Sequence, residues 1–180
     1  ALDRELAIPS EESERVASIM YTSGTTGEAK GVMLTEENLV FDAQMALQRY
    51  QFDPDTHQFN FLPFFYAFGR TCDLYVWLLG GHRLTLASCR KKAVEEVGAT
   101  APTHINGVPY FFEKLAALSA QSDSNDDVLG SNLSQINSGG SVLARNVFDF
   151  YQSNSIAVLQ GYGLTETSPV ATLTGPDDIR

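Results

Sequence analysis

The chain reads as an α/β domain, a mostly parallel sheet flanked by helices. Three observations lead there. Short runs of apolar, β-favouring residues alternate with segments whose apolar residues recur at helical spacing, as in a sheet whose strands are joined by covering helices. Three of the runs lead into glycine-bearing turns, at residues 22–31, 138–141 and 160–163. Finally, 180 residues with 43% hydrophobic and 19% charged side chains suit one globular domain that buries roughly 70% of its unfolded surface. Disordered, collagen-like and coiled-coil readings fail on the same composition.

The elements follow in order. A strand is expected at residues 17–21, feeding the polar run from Thr22 to Gly31. A helix should begin after Thr35, whose hydroxyl caps free amides while Glu36 and Glu37 suit the helix dipole. Leu39, Ala43, Ala46, Leu47 and Tyr50 then share one face. Residues 59–62 read as a strand stopped by Pro63, residues 73–79 as a buried helix before Gly80-Gly81, and residues 83–87 as the next strand. Val94 suits a short helix and residues 104–108 a strand. Pro109 opens a helix with Phe111, Leu115 and Leu118 at helical spacing. Residues 121–127 are a solvated polar loop. A second cycle runs from the strand at 134–137, through Ser138-Gly139-Gly140, to a helix with Leu143, Val147, Phe150 and Tyr151 on one face. The strand at 156–159 ends in Gln160-Gly161-Tyr162-Gly163. Open parallel sheets bind ligands beyond the carboxyl ends of their strands, so the three turns are expected to share one site.

Charge narrows the partners. Twelve Lys+Arg against 22 Asp+Glu give a net charge of −10, which repels phosphate backbones and argues against nucleic-acid binding. No run reaches the roughly 18 apolar residues of a membrane span. Cys72 and Cys89 lack metal or disulfide spacing and read as buried thiols of a reducing, cytoplasmic compartment. His57, His82 and His104 fall at no metal or dyad spacing. The first residues, Ala1 to Glu5, do not read as a leader, so the chain is expected to be a piece of something longer.

The sharpest chemical signal is the run from Tyr21 to Val32. Thr22, Ser23, Thr25 and Thr26 supply hydroxyls, Gly24, Gly27 and Gly31 uncrowded amides, and Lys30 a cation. Together these converge naturally on phosphate oxygens. A Walker P-loop is excluded by spacing: Gly24 and Gly27 are too close, Lys30 stands clear of Gly27, and Gly31 occupies the hydroxyl position. The bland alternative is a glycine-rich surface turn.

At these residues the chain resembles the adenylate-forming (AMP-binding) superfamily of acyl-CoA synthetases, luciferases and peptide-synthetase adenylation domains. Residues 22–31 are similar to its phosphate-binding loop, with Ala29 in place of the usual proline. A second resemblance spans Gly161-Tyr162-Gly163-Leu164-Thr165-Glu166. It implies that the Gly-Tyr-Gly segment flanks adenine, that Thr165 meets the α-phosphate and that Glu166 helps hold Mg²⁺. Ser138-Gly139-Gly140-Ser141 resembles the turn lying against adenine and the acyl carbonyl. The implied catalytic set is Lys30, Thr165 and Glu166. The implied nucleotide-binding set is Thr22, Ser23, Gly24, Thr25, Thr26, Gly27, Lys30, Gly139, Gly140, Gly161, Tyr162, Gly163 and Thr165.

Two further segments, residues 61–71 and 107–114, resemble long-chain fatty-acyl-CoA synthetases. There Tyr66 stands where histidine is common, and Gly69 where glutamate is frequent. Tyr66, Phe68 and Gly139 are the implied acyl-site residues, although the aromatic density of Phe61, Phe64, Phe65, Tyr66 and Phe68 fits an ordinary core equally well. An amino-acid-activating branch would need a carboxylate to receive a substrate ammonium. Asp73 is the candidate, with an ion pair to Arg70 or an exposed carboxylate as its plainer roles.

The resemblance implies a fragment, residues 1–180, of the family's large N-terminal AMP-binding domain, partial and acyl-CoA synthetase-like, without the C-terminal lid domain. ATP, Mg²⁺ and CoA are the implied cofactor and co-substrates, and a fatty acid or other carboxylate the substrate. Peripheral membrane contact of the parent enzyme is compatible with this, as is a degenerate, non-catalytic nucleotide- or acyl-binding module.

Overall fold

The computed structural model describes residues 14–23 and 28–175. Strands β1 (Val16–Ser23) and β2 (Ala29–Thr35) form an antiparallel hairpin of their own, with Thr22 opposite Lys30 and Ser23 opposite Ala29. This corrects two expectations. The first strand does not join the parallel sheet, and a second strand that the sequence reading missed fills residues 29–35.

Thr35 caps α1 (Glu36–Tyr50) as expected. Its Oγ1 accepts the Asn38 amide at 3.2 Å, and Asn38 Oδ1 accepts the Thr35 amide at 3.1 Å. Leu39, Ala43, Ala46 and Tyr50 are buried along one face, and Leu47 is half-buried. The chain then enters a six-stranded sheet with strands β3 (His57–Asn60), β4 (Arg83–Leu86), β5 (His104–Gly107), β6 (Gln135–Ser138), β7 (Ala157–Gly163) and β8 (Val170–Leu173). Their spatial order is β4-β3-β5-β6-β7-β8, parallel throughout except for β8, which pairs antiparallel with β7. β8 was not foreseen, and β7 runs straight through Gly161-Tyr162-Gly163 instead of ending before it.

Between β3 and β4 a π-helical segment (Gly69–Tyr75) continues into α2 (Val76–Gly80), beginning four residues earlier than expected. Helices α3 (Ala93–Thr100), α4 (Pro109–Ser119, with Pro109 in its first turn), α5 (Asp126–Leu129) and α6 (Arg145–Ser153) complete the chain. The short α5 lies inside what reads as loop. It approaches α3 so closely that a side chain on Gly98 would place its Cβ 2.1 Å from the Asp127 carbonyl oxygen. Leu118, expected on the inner face of α4, is exposed, and Leu143 is buried just ahead of α6.

Strand alternation splits the sheet into two unlike faces. Phe59, Ile105, Ile136 and Val158 point to one side, where α3, α4 and α6 add Val97, Phe112, Leu115 and Val147. Burying each such side chain contributes about 1.5–3 kcal/mol. The Tyr151 hydroxyl, buried there, donates to the Phe112 carbonyl at 3.0 Å. On the other side α1, the π-helical segment and α2 pack Ala46, Tyr50, Cys72 and Val76 against Leu159. Beside that smaller apolar patch, the strands present buried amides. Of the two thiols, Cys72 is buried as expected, but Cys89 is exposed because it lies in the turn after β4, outside either packed face. No helix among the described residues is long and apolar enough to cross a membrane.

α1 also holds the antiparallel edge. The Val170 amide donates to Asp42 Oδ2 at 3.1 Å, and Arg49 Nε donates to the Leu173 carbonyl at 3.2 Å. Burial pushes the Asp42 carboxyl from 3.8 to about 6, with the Val170 amide pulling the other way. A carboxyl raised in the folded state binds its proton more tightly there. Its stabilising contribution is therefore present below the unfolded value and is lost as pH rises through about 6. Asp42→Asn keeps an acceptor for Val170 and removes the ionisation. Urea unfolding should find this variant more stable than the wild type at pH 7.5, with the gap shrinking at pH 4.5.

Candidate functional site

Glycines permit the close approaches that shape the site. At the carboxyl ends of β6 and β7, Gly139 lies under the Phe68 ring, where an added Cβ would sit 3.2 Å from Phe68 Cε1, and Gly140 has a left-handed φ of 85°. At Gly163 a Cβ would fall 1.6 Å from the Pro169 carbonyl oxygen, so the turn of Thr165–Thr167 can fold back only over a glycine. Thr167 secures that turn: its Oγ1 donates to the Pro169 carbonyl at 2.7 Å and accepts the Leu164 amide at 2.9 Å.

The result is one cavity of about 380 Å³ beyond the strand ends, within the range of small-molecule sites. Tyr66, Phe68, Gly139, Gly140, the Gly161-Tyr162-Gly163 segment and Thr165 all line it. Of the expected residues, Thr22, Ser23, Lys30 and Glu166 stand outside its lining. Thr22 and Ser23 end β1, Lys30 lies on β2 and is exposed, and β2 comes beside the Thr165–Thr167 turn that carries the exposed Glu166. Gly24, Thr25, Thr26 and Gly27 lie outside the described residues.

The lining holds two features that sequence reasoning missed. Arg90, in the turn after β4, is its cation, and no Asp or Glu is among the described lining residues. The Ser138 hydroxyl is buried at the cavity and has no hydrogen-bond partner among the described residues, a cost that a ligand group could relieve. Neither has a local signature, since Arg90 sits in an ordinary loop and Ser138 reads as the first residue of a glycine turn.

The aromatic segment divides between core and cavity. Phe61 stacks on Phe111 with ring centroids 3.8 Å apart, so it belongs to the core with Phe111 and Phe112. Phe68 and Tyr66 face the cavity. Gly69 carries its own constraint. A Cβ there would lie 2.9 Å from Leu62 Cβ and 3.0 Å from the Pro63 carbonyl oxygen, which leaves no room for a side chain without a shift of the Leu62–Pro63 backbone.

Asp73 corrects the sequence reading most sharply. It neither pairs with Arg70 nor reaches the cavity. Arg70 donates instead to the Phe64 carbonyl at 2.8 Å and to Ser18 Oγ at 2.7 Å, tying the hairpin to the π-helical segment. Asp73 is fully buried against the sheet's amide-bearing face. Its Oδ1 accepts from Gln58 Nε2 and Asn106 Nδ2, both at 2.7 Å, and its Oδ2 accepts from Asn60 Nδ2. Burial pushes this carboxyl up to about 8 against the pull of Asn106 and Asn60. The signal was present in the sequence: β3, β5 and β6 repeat one pattern, Gln58-Phe59-Asn60, His104-Ile105-Asn106 and Gln135-Ile136-Asn137, with the apolar residue toward the main core and polar residues on the face that Asp73 packs against, where Gln58, Asn60 and Asn106 reach it. The network also fixes His82, whose Nε2 must donate to Gln58 Oε1 at 2.9 Å because Gln58 Nε2 is committed to Asp73. Burial pushes His82 and His104 down to about 4, so both are neutral near pH 7.

Glu166 is suited to a hard cation only with help. No cluster of three or more His, Cys, Asp or Glu among the described residues could hold a metal. An ion at Glu166 would take its other ligands from phosphate and water, as Mg²⁺ commonly does.

Residues 3–180 match the family described as AMP-binding enzyme. The chain is 30% identical over 169 residues to 4-coumarate–CoA ligase-like 9 of Arabidopsis thaliana, an alignment covering 91% of this chain and 30% of that protein. It is 32% identical over 174 residues to luciferin 4-monooxygenase of Nipponoluciola cruciata, covering 93% and 31%. Among solved structures it superposes on ATP-bound MatB from Rhodopseudomonas palustris with a TM-score of 0.77 at 26% identity, covering 93% of this chain and 33% of the other. The chain thus spans about 30% of the length of the curated relatives it matches.

The Gly163 contact yields a direct test. Gly163→Ala should displace the Thr165–Thr167 turn and cost about 1–3 kcal/mol of stability, read as a lowered thermal midpoint. Gly161→Ala serves as the comparison: neither glycine has a left-handed φ, but at Gly161 the added Cβ meets only ordinary contacts, the nearest being Leu173 Cδ1 at 3.5 Å.

Proposed function

The chain belongs to the AMP-binding enzyme family, and we propose that it is part of the large nucleotide-binding domain of an acid–CoA ligase that activates a fatty acid as its acyl-adenylate. The observation carrying this reading is the cavity itself. The two glycine turns and Thr165 border the same space as Tyr66 and Phe68, and its lining offers one cation and no carboxylate among the described residues. Such a wall favours an anionic head on an apolar body.

The chemistry follows from charge and position. The substrate carboxylate attacks the α-phosphorus of ATP, the bond to the bridging oxygen breaks, and pyrophosphate leaves. The thiol of CoA then attacks the acyl carbon and AMP departs. In this reading Thr165 positions the α-phosphate, while Lys30 and the hydroxyls and amides of residues 22–27 stabilise charge on the departing pyrophosphate. Mg²⁺, when bound at Glu166, neutralises phosphate charge. Gly139 and Gly140 let adenine and the acyl group approach the backbone, and Tyr162 offers adenine a ring.

An amino-acid substrate is less well supported. Asp73, the candidate ammonium partner, is absorbed by Gln58, Asn60 and Asn106. An aromatic acid is the second reading, because the 4-coumarate–CoA ligase-like relative bears that substrate in its name and the Tyr66 and Phe68 rings line the cavity.

The test is acid-dependent exchange of labelled pyrophosphate into ATP by the complete polypeptide carrying this chain, with a long-chain fatty acid, 4-coumarate, acetate and a set of amino acids. Exchange driven by the fatty acid supports the proposal, and exchange driven by 4-coumarate moves the substrate to the aromatic class. Amino-acid-driven exchange, or none with any acid, overturns it. Lys30→Ala should slow exchange about 100-fold, in line with the loss of one charge-stabilising donor. Glu166→Ala should raise the Mg²⁺ concentration needed for half-maximal rate.

A further inference from the structure

The amide network does not stop at Asp73. Asn106 Nδ2 donates to Asp73 Oδ1 at 2.7 Å and to the Cys72 carbonyl at 2.8 Å, which commits both of its hydrogens and turns its Oδ1 the other way. That Oδ1 accepts from Asn137 Nδ2 at 2.6 Å. Asn137 Oδ1 in turn accepts from Gln135 Nε2 at 2.9 Å. Asn137 lines the cavity beside the unpartnered Ser138 hydroxyl, while Asp73, Asn106 and Gln135 do not.

Each carboxamide can flip, exchanging donor for acceptor at nearly equal shape. What removes that freedom here is the pair of acceptors at the end of the row, the Asp73 carboxyl beside the Cys72 carbonyl, which together admit one orientation of Asn106 and hence one of Asn137. All four side chains are buried, with Asp73 and Asn106 fully so, and a mismatched donor pair in such surroundings costs far more than at a surface.

We propose that Asp73 is a positioning residue: acting through Asn106, it sets which end of the Asn137 carboxamide the cavity receives, and so orders the wall against which the acid and nucleotide bind. Its bearing on catalysis rests on the acid-activation reading given above. Its bearing on Asn137 does not.

Two measurements separate these levels. The first uses the complete polypeptide carrying this chain, labelled with ¹⁵N at its asparagine side chains, and the ¹⁵N–¹H signals of the Asn137 side-chain amide, assigned by their loss in Asn137→Asp. Asp73→Asn should shift them, since its one carbonyl oxygen can serve either Asn106 or Asn60 and its NH₂ then opposes the other donor. The exchanged pair Asn60→Asp with Asp73→Asn restores one acceptor opposite one donor and should return the signals toward their wild-type positions. If Asp73→Asn does not fold, Asn106→Ser breaks the row while leaving Asp73 its Gln58 and Asn60 donors, and should shift the same signals. Asn137 signals unmoved in the folded variants overturn the proposal, whatever the activity.

The second measurement is the KM for the acid in pyrophosphate exchange by the complete polypeptide. Asp73→Asn should raise it about tenfold, and the exchanged pair should recover it. A shifted Asn137 signal with an unchanged KM would overturn the catalytic bearing. A thermal midpoint recovered by the exchanged pair without recovery of KM would reduce Asp73 to a structural residue. Absence of exchange in the wild type counts against the proposed function and leaves the amide-signal test standing.

Discussion

A single buried carboxyl group constrains one whole face of this fold. Asp73 lies on the π-helical segment that crosses the sheet, and three strand amides from β3 and β5 donate to it. Without that acceptor, Asn60 would be a buried donor lacking a partner, at about 1–3 kcal/mol, and Gln58 and Asn106 would keep only the Cys72 carbonyl. The segment's wider helical winding accompanies this contact, with Thr71, Cys72 and Asp73 buried in succession. Thr71 extends the same attachment outward, its Oγ1 donating to the Ser168 carbonyl at 2.8 Å. The element that packs the sheet therefore also anchors the turn beside the cavity.

The two faces of the sheet divide the labour of folding and binding. The face toward α3, α4 and α6 is apolar and supplies most of the burial. The amide-bearing face is costlier to build and more specific, since hydrogen-bond partners must match in kind as well as in shape. It leads by direct contact from the sheet's interior to the floor of the cavity at Asn137. Glycine then determines how near the upper elements come, at Gly139 beneath Phe68 and at Gly163 beneath Pro169.

Electrostatics separate the cavity from the surface around it. The chain carries a net charge of −10, which would repel an anionic acid or nucleotide. The described cavity lining nevertheless has Arg90 and no carboxylate, and Asp73 is sequestered among amides. Arg90 meets the site because β4 is the sheet's edge strand and its following turn reaches the same end of the sheet as Gly139 and Gly161.

Local pattern was enough for much of this. The cap at Thr35, Pro109 in the first turn of α4, the inner faces of α1 and α6, and the five parallel strands were legible because each depends on neighbours a few residues apart. So was the meeting of two of the three glycine turns, at 138–140 and 161–163, on one cavity, since parallel strands deliver their carboxyl ends to one edge; the described ends of the first turn, on a separate hairpin, stand outside its lining. The tertiary structure decided what no local rule contains. It made β1 and β2 a separate hairpin, carried β7 through its glycines to pair with β8, and exposed Cys89. It also brought Arg90 to the cavity and took Asp73 from it. Those outcomes depend on partners tens of residues away: Asp73 on Asn106, Arg70 on Ser18, Val170 on Asp42. A sequence window records which groups can donate or accept, but the assembled sheet selects which of them meet.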